Sequence, residues 1–125
     1  MSLKTFIVED NATIRENLIA TLEELAGIKA VGTADTENAS RAWLNGQNEW
    51  NLAIVDLFLK QGSGLGVLKA CRDRSAGRKL VVLSNYATPE IRQRCIPLGA
   101  DAIFDTSNEI DALVEYCIQQ GAIGD

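Results

Sequence analysis

The chain has no histidine. That removes the commonest general base and the usual nucleophile–His–acid constellations. Its three cysteines, Cys71, Cys95 and Cys117, lie far apart and form no CxxC pair. Zinc-ligand spacing is therefore missing, and an odd count without close spacing reads as reduced thiols packed in helices. No stretch is long and apolar enough to span a membrane, and no secretory signal precedes the first strand pattern. A cytoplasmic protein without a membrane partner is expected. Positive charge is also scarce: 12 Lys and Arg stand against 17 Asp and Glu, a net charge of −5. Nucleic-acid binding needs clustered cations to displace phosphate counterions. The short basic groups here, Arg72 with Arg74 and Arg78 with Lys79, are interleaved with other residues and read as solvated helix ends or loops. Low-complexity runs are absent.

What is present fits one domain. The 125 residues are 46% apolar and 23% charged, an ordinary globular balance, and a single domain over 1–125 is expected. Five short apolar runs alternate with five helical patterns. The strands read as Lys4 to Val8, Lys29 to Ala34, Leu52 to Asp56, Lys79 to Ser84 and Ala102 to Phe104. Their weak alternation suits strands buried on both faces of a parallel sheet. Asn11 can cap the first helix, with Ile14, Leu18, Leu22 and Leu25 on one face and Gly27 at its end. Thr36 to Leu44 is the second helix, with Ala39, Ala42 and Trp43 facing inward. Gly64 to Arg72 is the third. Thr88-Pro89 opens the fourth, and Gly99 follows it. Glu109 to Gln120 is the fifth, with Ile110, Leu113, Val114 and Cys117 as its stripe. Five βα units imply an open, doubly wound α/β sheet, because parallel strands need right-handed crossovers.

Ligands in such sheets bind outside the carboxyl ends of the strands. Glu9 and Asp10 follow the first strand, Asp56 ends the third, Ser84 ends the fourth, and Asp105 and Thr106 follow the fifth. Singly, each has an ordinary reading as a loop, cap or turn residue. Together they put several carboxylates and a hydroxyl on one rim. Gathered carboxylates raise each other's pKa unless a cation neutralises them, and hard oxygen ligands with open positions suit Mg²⁺.

The acid pair in IVEDN, the strand-end Asp in IVDLFLKQGSGLGVL, the hydroxyl in VVLSNYA and the segment PLGADAIFDTSNEID together resemble a response-regulator receiver domain from Phe6 to about Ile118. The resemblance implies a five-stranded parallel sheet in the flavodoxin-like order 2-1-3-4-5. It also implies a phosphoacceptor in a two-component phosphorelay. Asp56 matches the phosphorylated aspartate and also a metal ligand. Asp10 matches the direct metal-binding acid, and Glu9 its neighbour. The backbone carbonyl of Phe58 matches a further Mg²⁺ contact, and Ser84 the hydroxyl that hydrogen-bonds the phosphoryl group. A histidine kinase or phosphotransfer protein is the implied donor and a downstream protein the implied target. Self-phosphorylation from a donor is expected, not enzymatic turnover of a free substrate. The expected docking surface, by resemblance alone, is the face of the fourth helix, fifth strand and fifth helix.

Three positions depart from the pattern. Thr106 stands where the family carries a lysine, Ile103 where it carries an aromatic switch residue, and Asn85 where Ala or Gly is usual. Thr106-x-x-Glu109 reads instead as a capping box. These departures keep an alternative open: a phosphorylation-independent pseudo-receiver acting as an interaction module. Other readings fit less well. An FMN binder would want Ser, Thr and Gly where EDNAT puts two anions. A haloacid-dehalogenase-type phosphatase would want a second Asp where Phe58 stands. GSGLG lacks the GxGxxG spacing of a dinucleotide site.

Overall fold

A computed structural model describes residues 2–123; positions 1, 124 and 125 of the expected domain lie outside them. The strands are β1 (Lys4–Val8), β2 (Lys29–Ala34), β3 (Leu52–Val55), β4 (Lys79–Ser84) and β5 (Ala102–Asp105). The helices are α1 (Ala12–Ala26), α2 (Glu37–Asn45), α3 (Gly64–Ala70), α4 (Pro89–Cys95) and α5 (Ile110–Ile123), with a 3-10 turn over Ile96–Leu98. The strands are all parallel and stand in the order β2-β1-β3-β4-β5, as the sequence led us to expect. The order reverses between β1 and β3, where such sheets open a crevice.

The unbroken apolar strands are explained by burial on both faces. Phe6, Ala53 and Leu80 form one row across the sheet, and Ile7, Ile54 and Val81 the next. The first row joins Leu44 of α2, Val67 and Leu68 of α3 and Cys95 of α4 in one core. The second joins Leu18 and Leu22 of α1 and Leu113 and Cys117 of α5 in another. The three cysteines are free and buried. Burial pushes the Cys117 thiol up to about 12, which keeps it protonated and unreactive.

Local signals end the helices as expected. Asn11 Oδ1 accepts from the Ile14 amide at 3.0 Å, and Gly27 leaves α1 at φ 66°. Thr88 Oγ1 accepts from the Ile91 amide ahead of Pro89.

Three expectations need correction. Of the α1 stripe, Leu18 and Leu22 are buried, while Ile14 and Leu25 are 45% and 56% exposed. In α2, Ala39 and Ala42 face solvent. Ser40 and Leu44 turn inward, and Trp43 lies flat on Phe6, the rings 4.1 Å apart and 7° from parallel. Ser40 tolerates burial because its hydroxyl donates to the Thr36 carbonyl at 2.6 Å. The stacked indole crosses β2 at Gly32, where a Cβ would stand 2.7 Å from Trp43 Nε1. Finally, α5 opens differently from a Thr106 capping box. The Glu109 carboxylate accepts from the Asp105 amide at 2.9 Å, and the Asp105 carboxylate accepts from the amides of Ser107 and Asn108.

Candidate functional site

β1 and β3 run side by side in register, Val8 opposite Val55. The chain therefore leaves both strands at the same level, and Glu9, Asp10 and Asp56 emerge together at the switch in strand order. One carboxylate oxygen from each lies within 4.8 Å of the other two. Backbone amides fix the group. Lys60 N donates to Asp10 Oδ2 at 2.6 Å, Phe58 N to Asp56 Oδ1 at 3.2 Å, and Asn11 N to Glu9 Oε1 at 3.2 Å. Arg15 does not neutralise the cluster: its guanidinium donates to the Glu9 main-chain carbonyl at 2.7 Å.

The electrostatic result is an excess of negative charge. Glu9 is 9% exposed. Burial, then the hydrogen bond and charge of Asp56, push its pKa up to about 7. Burial also raises Asp56, with the Asp10 charge adding to it. Its hydrogen bonds with Glu9 and the Phe58 and Leu57 amides oppose the rise. Two carboxyls this close cannot both ionise cheaply, so without a cation the pair holds a proton near neutrality. A hard divalent cation would displace that proton, and an all-oxygen donor set suits Mg²⁺.

The loop after Asp56 is held close by a glycine. Gly64 N donates to the Leu57 carbonyl at 3.0 Å, and a Cβ on Gly64 would meet the Asp56 carbonyl oxygen at 2.3 Å. The glycines of GSGLG thus serve packing, and no nucleotide cradle forms from them. Phe58 pairs with Ser63 in an isolated bridge that closes the loop.

Ser84 ends β4, one strand beyond β3, and is 1% exposed. Its Oγ accepts from the Tyr86 amide at 3.0 Å, and no hydrogen bond joins it to Asp56 among the described residues. Phe58 and Tyr86 meet edge to face, 5.3 Å between ring centroids, and both are more than half exposed. Thr106 is tied to β4 through its amide, which donates to the Ser84 carbonyl at 3.0 Å. With Glu9, Asp56 and Asn85 it borders a cavity of about 50 Å³ that Ile14, Leu18 and Leu83 also line. Asp105 does not join the cluster, its carboxylate being used in its own turn. Ile103 is buried in the core.

Two residues that the sequence did not single out organise the neighbourhood. Arg92 donates to the carbonyls of Ala87 and Ile103 and to Glu109 Oε1, joining α4, β5 and the start of α5. Glu37 of α2 accepts from the Ser63 amide at 2.8 Å at the start of α3. Both contacts span many residues of sequence, and no local pattern announces them.

The sequence model of the response regulator receiver domain matches residues 5–118. The acid tolerance regulatory protein ActR of Rhizobium meliloti is 25% identical over 114 residues, which are 91% of this chain and 57% of ActR. The chain thus spans little more than half the length of that relative. Among solved structures, the receiver domain of Francisella response regulator 1452 superposes with a TM-score of 0.84 at 18% identity, covering 99% of this chain and 100% of that one. A Burkholderia pseudomallei response regulator, solved with a phosphorylated aspartic acid, a calcium ion and citrate, gives 0.79 at 22% identity over 98% of this chain and 71% of its own.

Proposed function

The chain belongs to the response-regulator receiver family, and on that premise we propose that it accepts a phosphoryl group on Asp56 with the help of Mg²⁺ and signals through contacts with another protein. One observation carries the reading: the carboxylates of Glu9, Asp10 and Asp56 gathered within 4.8 Å of one another at the switch in strand order. Glu9, Asp10, Asp56 and the Phe58 carbonyl would hold the metal. When bound, the metal supplies charge neutralisation for an anionic nucleophile meeting an anionic phosphoryl group.

The chain's own groups do the rest. The Phe58 amide orients the Asp56 carboxylate. A carboxylate oxygen of Asp56 forms the new O–P bond while the bond from phosphorus to the donor breaks, its electron pair leaving with the donor. The product is an acyl phosphate. Ser84 would then turn its hydroxyl proton to the phosphoryl oxygens, its Oγ already positioned by the Tyr86 amide. The donor class is a histidine kinase or phosphotransfer protein. The net charge of −5 favours a protein target over nucleic acid, and a cytoplasmic place fits such partners. We read the whole of 1–125 as this single receiver domain.

The test is intact-mass analysis after incubation with acetyl phosphate, with and without Mg²⁺. We expect a single phosphoryl adduct that requires the metal and is abolished by Asp56→Asn. Undiminished labelling of that variant would remove the assignment.

A second reading is favoured by Thr106 and Ile103. In a pseudo-receiver the same fold would bind its partner whether or not Asp56 is modified. Ile103 is held in the core, with Arg92 on its carbonyl. A partner complex unchanged in affinity by Asp56→Asn and by acetyl phosphate would select this reading.

A further inference from the structure

A groove of about 500 Å³ opens between the loop after β3 and α4, beginning one residue beyond Asp56. Its apolar surface comes from Phe58, Leu59 and Leu65 on one side and Ile91 on the other. Two cations, Lys60 and Arg94, also line it, and both side chains are exposed. Neither is engaged by a carboxylate among the described residues. The one acid in the lining, Asp10, has Oδ2 on the Lys60 amide. The arrangement is an apolar trough with two unspent positive charges. Its volume falls in the range of small-molecule sites, which combine apolar walls with a few polar groups that fix orientation.

We propose that this groove binds a small amphipathic acid: a compact aromatic or branched aliphatic body lying against Leu65 and Ile91, with one carboxylate or sulfonate between Lys60 and Arg94. Charge complementarity selects the class. A neutral apolar ligand would leave both cations without a partner. A small polyanion would leave the apolar wall wet, and it would sit beside the acidic cluster. The groove adjoins the acidic site, since Asp10 and Phe58 line both, but the four residues named as contacts take no part in phosphoryl acceptance through their side chains.

The probe is 1-anilinonaphthalene-8-sulfonate, with uncharged N-phenyl-1-naphthylamine as comparator, titrated into the folded protein. Binding is followed by fluorescence and located by amide chemical shifts. We expect one site per chain, shifts confined to the loop over residues 57–65 and to α4, and weaker binding of the uncharged comparator. Lys60→Glu with Arg94→Glu changes exposed positions that the core does not need. It should weaken the sulfonate roughly tenfold, the scale of two partly screened ion pairs, and leave the comparator unchanged. Equal affinity for the two probes, shifts elsewhere on the surface, or no effect of charge reversal would overturn the proposal. So would shifts in the same groove on raising protein concentration without probe, since the trough would then be an interface between copies of the chain.

Discussion

Glu9 is the residue on which the acidic site turns. Its carboxyl holds a proton up to about pH 7 in the folded, metal-free protein, against 4.5 when unfolded. Between those values the folded state binds a proton that the unfolded state has released. Stability therefore falls as pH rises through this window, and the deficit persists above it. Glu9→Gln removes the titration. In chelator at pH 8 the variant should be more stable than the wild type by on the order of 1–3 kcal/mol, and at pH 4.5 the difference should vanish. Urea unfolding at the two pH values reads this directly, and wild-type stability that is flat across the window would sink the shared-proton picture. Added Mg²⁺ should narrow the gap at pH 8, because the wild type gains a ligand that the amide variant holds more weakly. Gly32 shows a different kind of dependence on one residue. Its Cβ would press into the Trp43 indole, so Gly32→Ala should cost about 1–3 kcal/mol through overpacking. An unchanged thermal midpoint would show that the indole can shift without penalty.

At the scale of elements, the short helix α4 is held at its start and at its middle. Its cap is local, but Arg92 fastens it to β5 and to Glu109. That clamp lies where a phosphorylation signal would have to pass. The usual lysine would add a charge pair there. Two unit charges about 4 Å apart interact by roughly 4 kcal/mol at an effective dielectric of 20, against typical coupling energies of about 1–3 kcal/mol. Thr106 brings no charge, and the small cavity beside it adjoins Asp56. Phosphorylation of Asp56 should therefore change this domain's conformation only slightly, and Thr106→Lys should enlarge the response. Amide shifts on adding beryllofluoride measure both. Large shifts across α4 and β5 in the unmodified protein would contradict the expectation. These elements also mark the reach of sequence reading. The strands were legible because LAIV and KLVVL can only be buried on both faces, and Asn11 and Thr88 act within a few residues of themselves. The inward face of α2 was legible only at Trp43, which packs on the core, and not at Ser40 and Leu44. It depends on an indole lying flat over a glycine of another strand and on a serine bonded back into its own helix. The opening of α5 was missed for a similar reason: Glu109 accepts from Asp105 and from Arg92, a residue of α4.

At the scale of the whole molecule, the acidic cluster stands at one end of a sheet packed between two hydrophobic cores. The convergence of Glu9, Asp10 and Asp56 could be inferred from sequence because parallel strands put their ends on one rim. The direction of the pKa shift there was legible too, because gathered carboxylates repel; its largest cause, the burial of Glu9, was not. The amides of Phe58 and Tyr86 reach Asp56 and Ser84, while their rings meet edge-on outside. By the family resemblance, a water molecule attacking a phosphoryl group on Asp56 would approach past those two positions, and rings that exclude it would slow hydrolysis. On that reading the pair would act on duration, setting how long a modified molecule outlives the stimulus that modified it. Phe58→Asn opens the way and supplies a hydrogen-bonding amide, so phosphate release should quicken severalfold while the yield of the initial adduct stays the same. Release no faster than from the wild type would mean that the rings only pack. If they do keep water out, the chain works as a slow timer, and its phosphorylated fraction reports the past history of the donor's activity more than its present level.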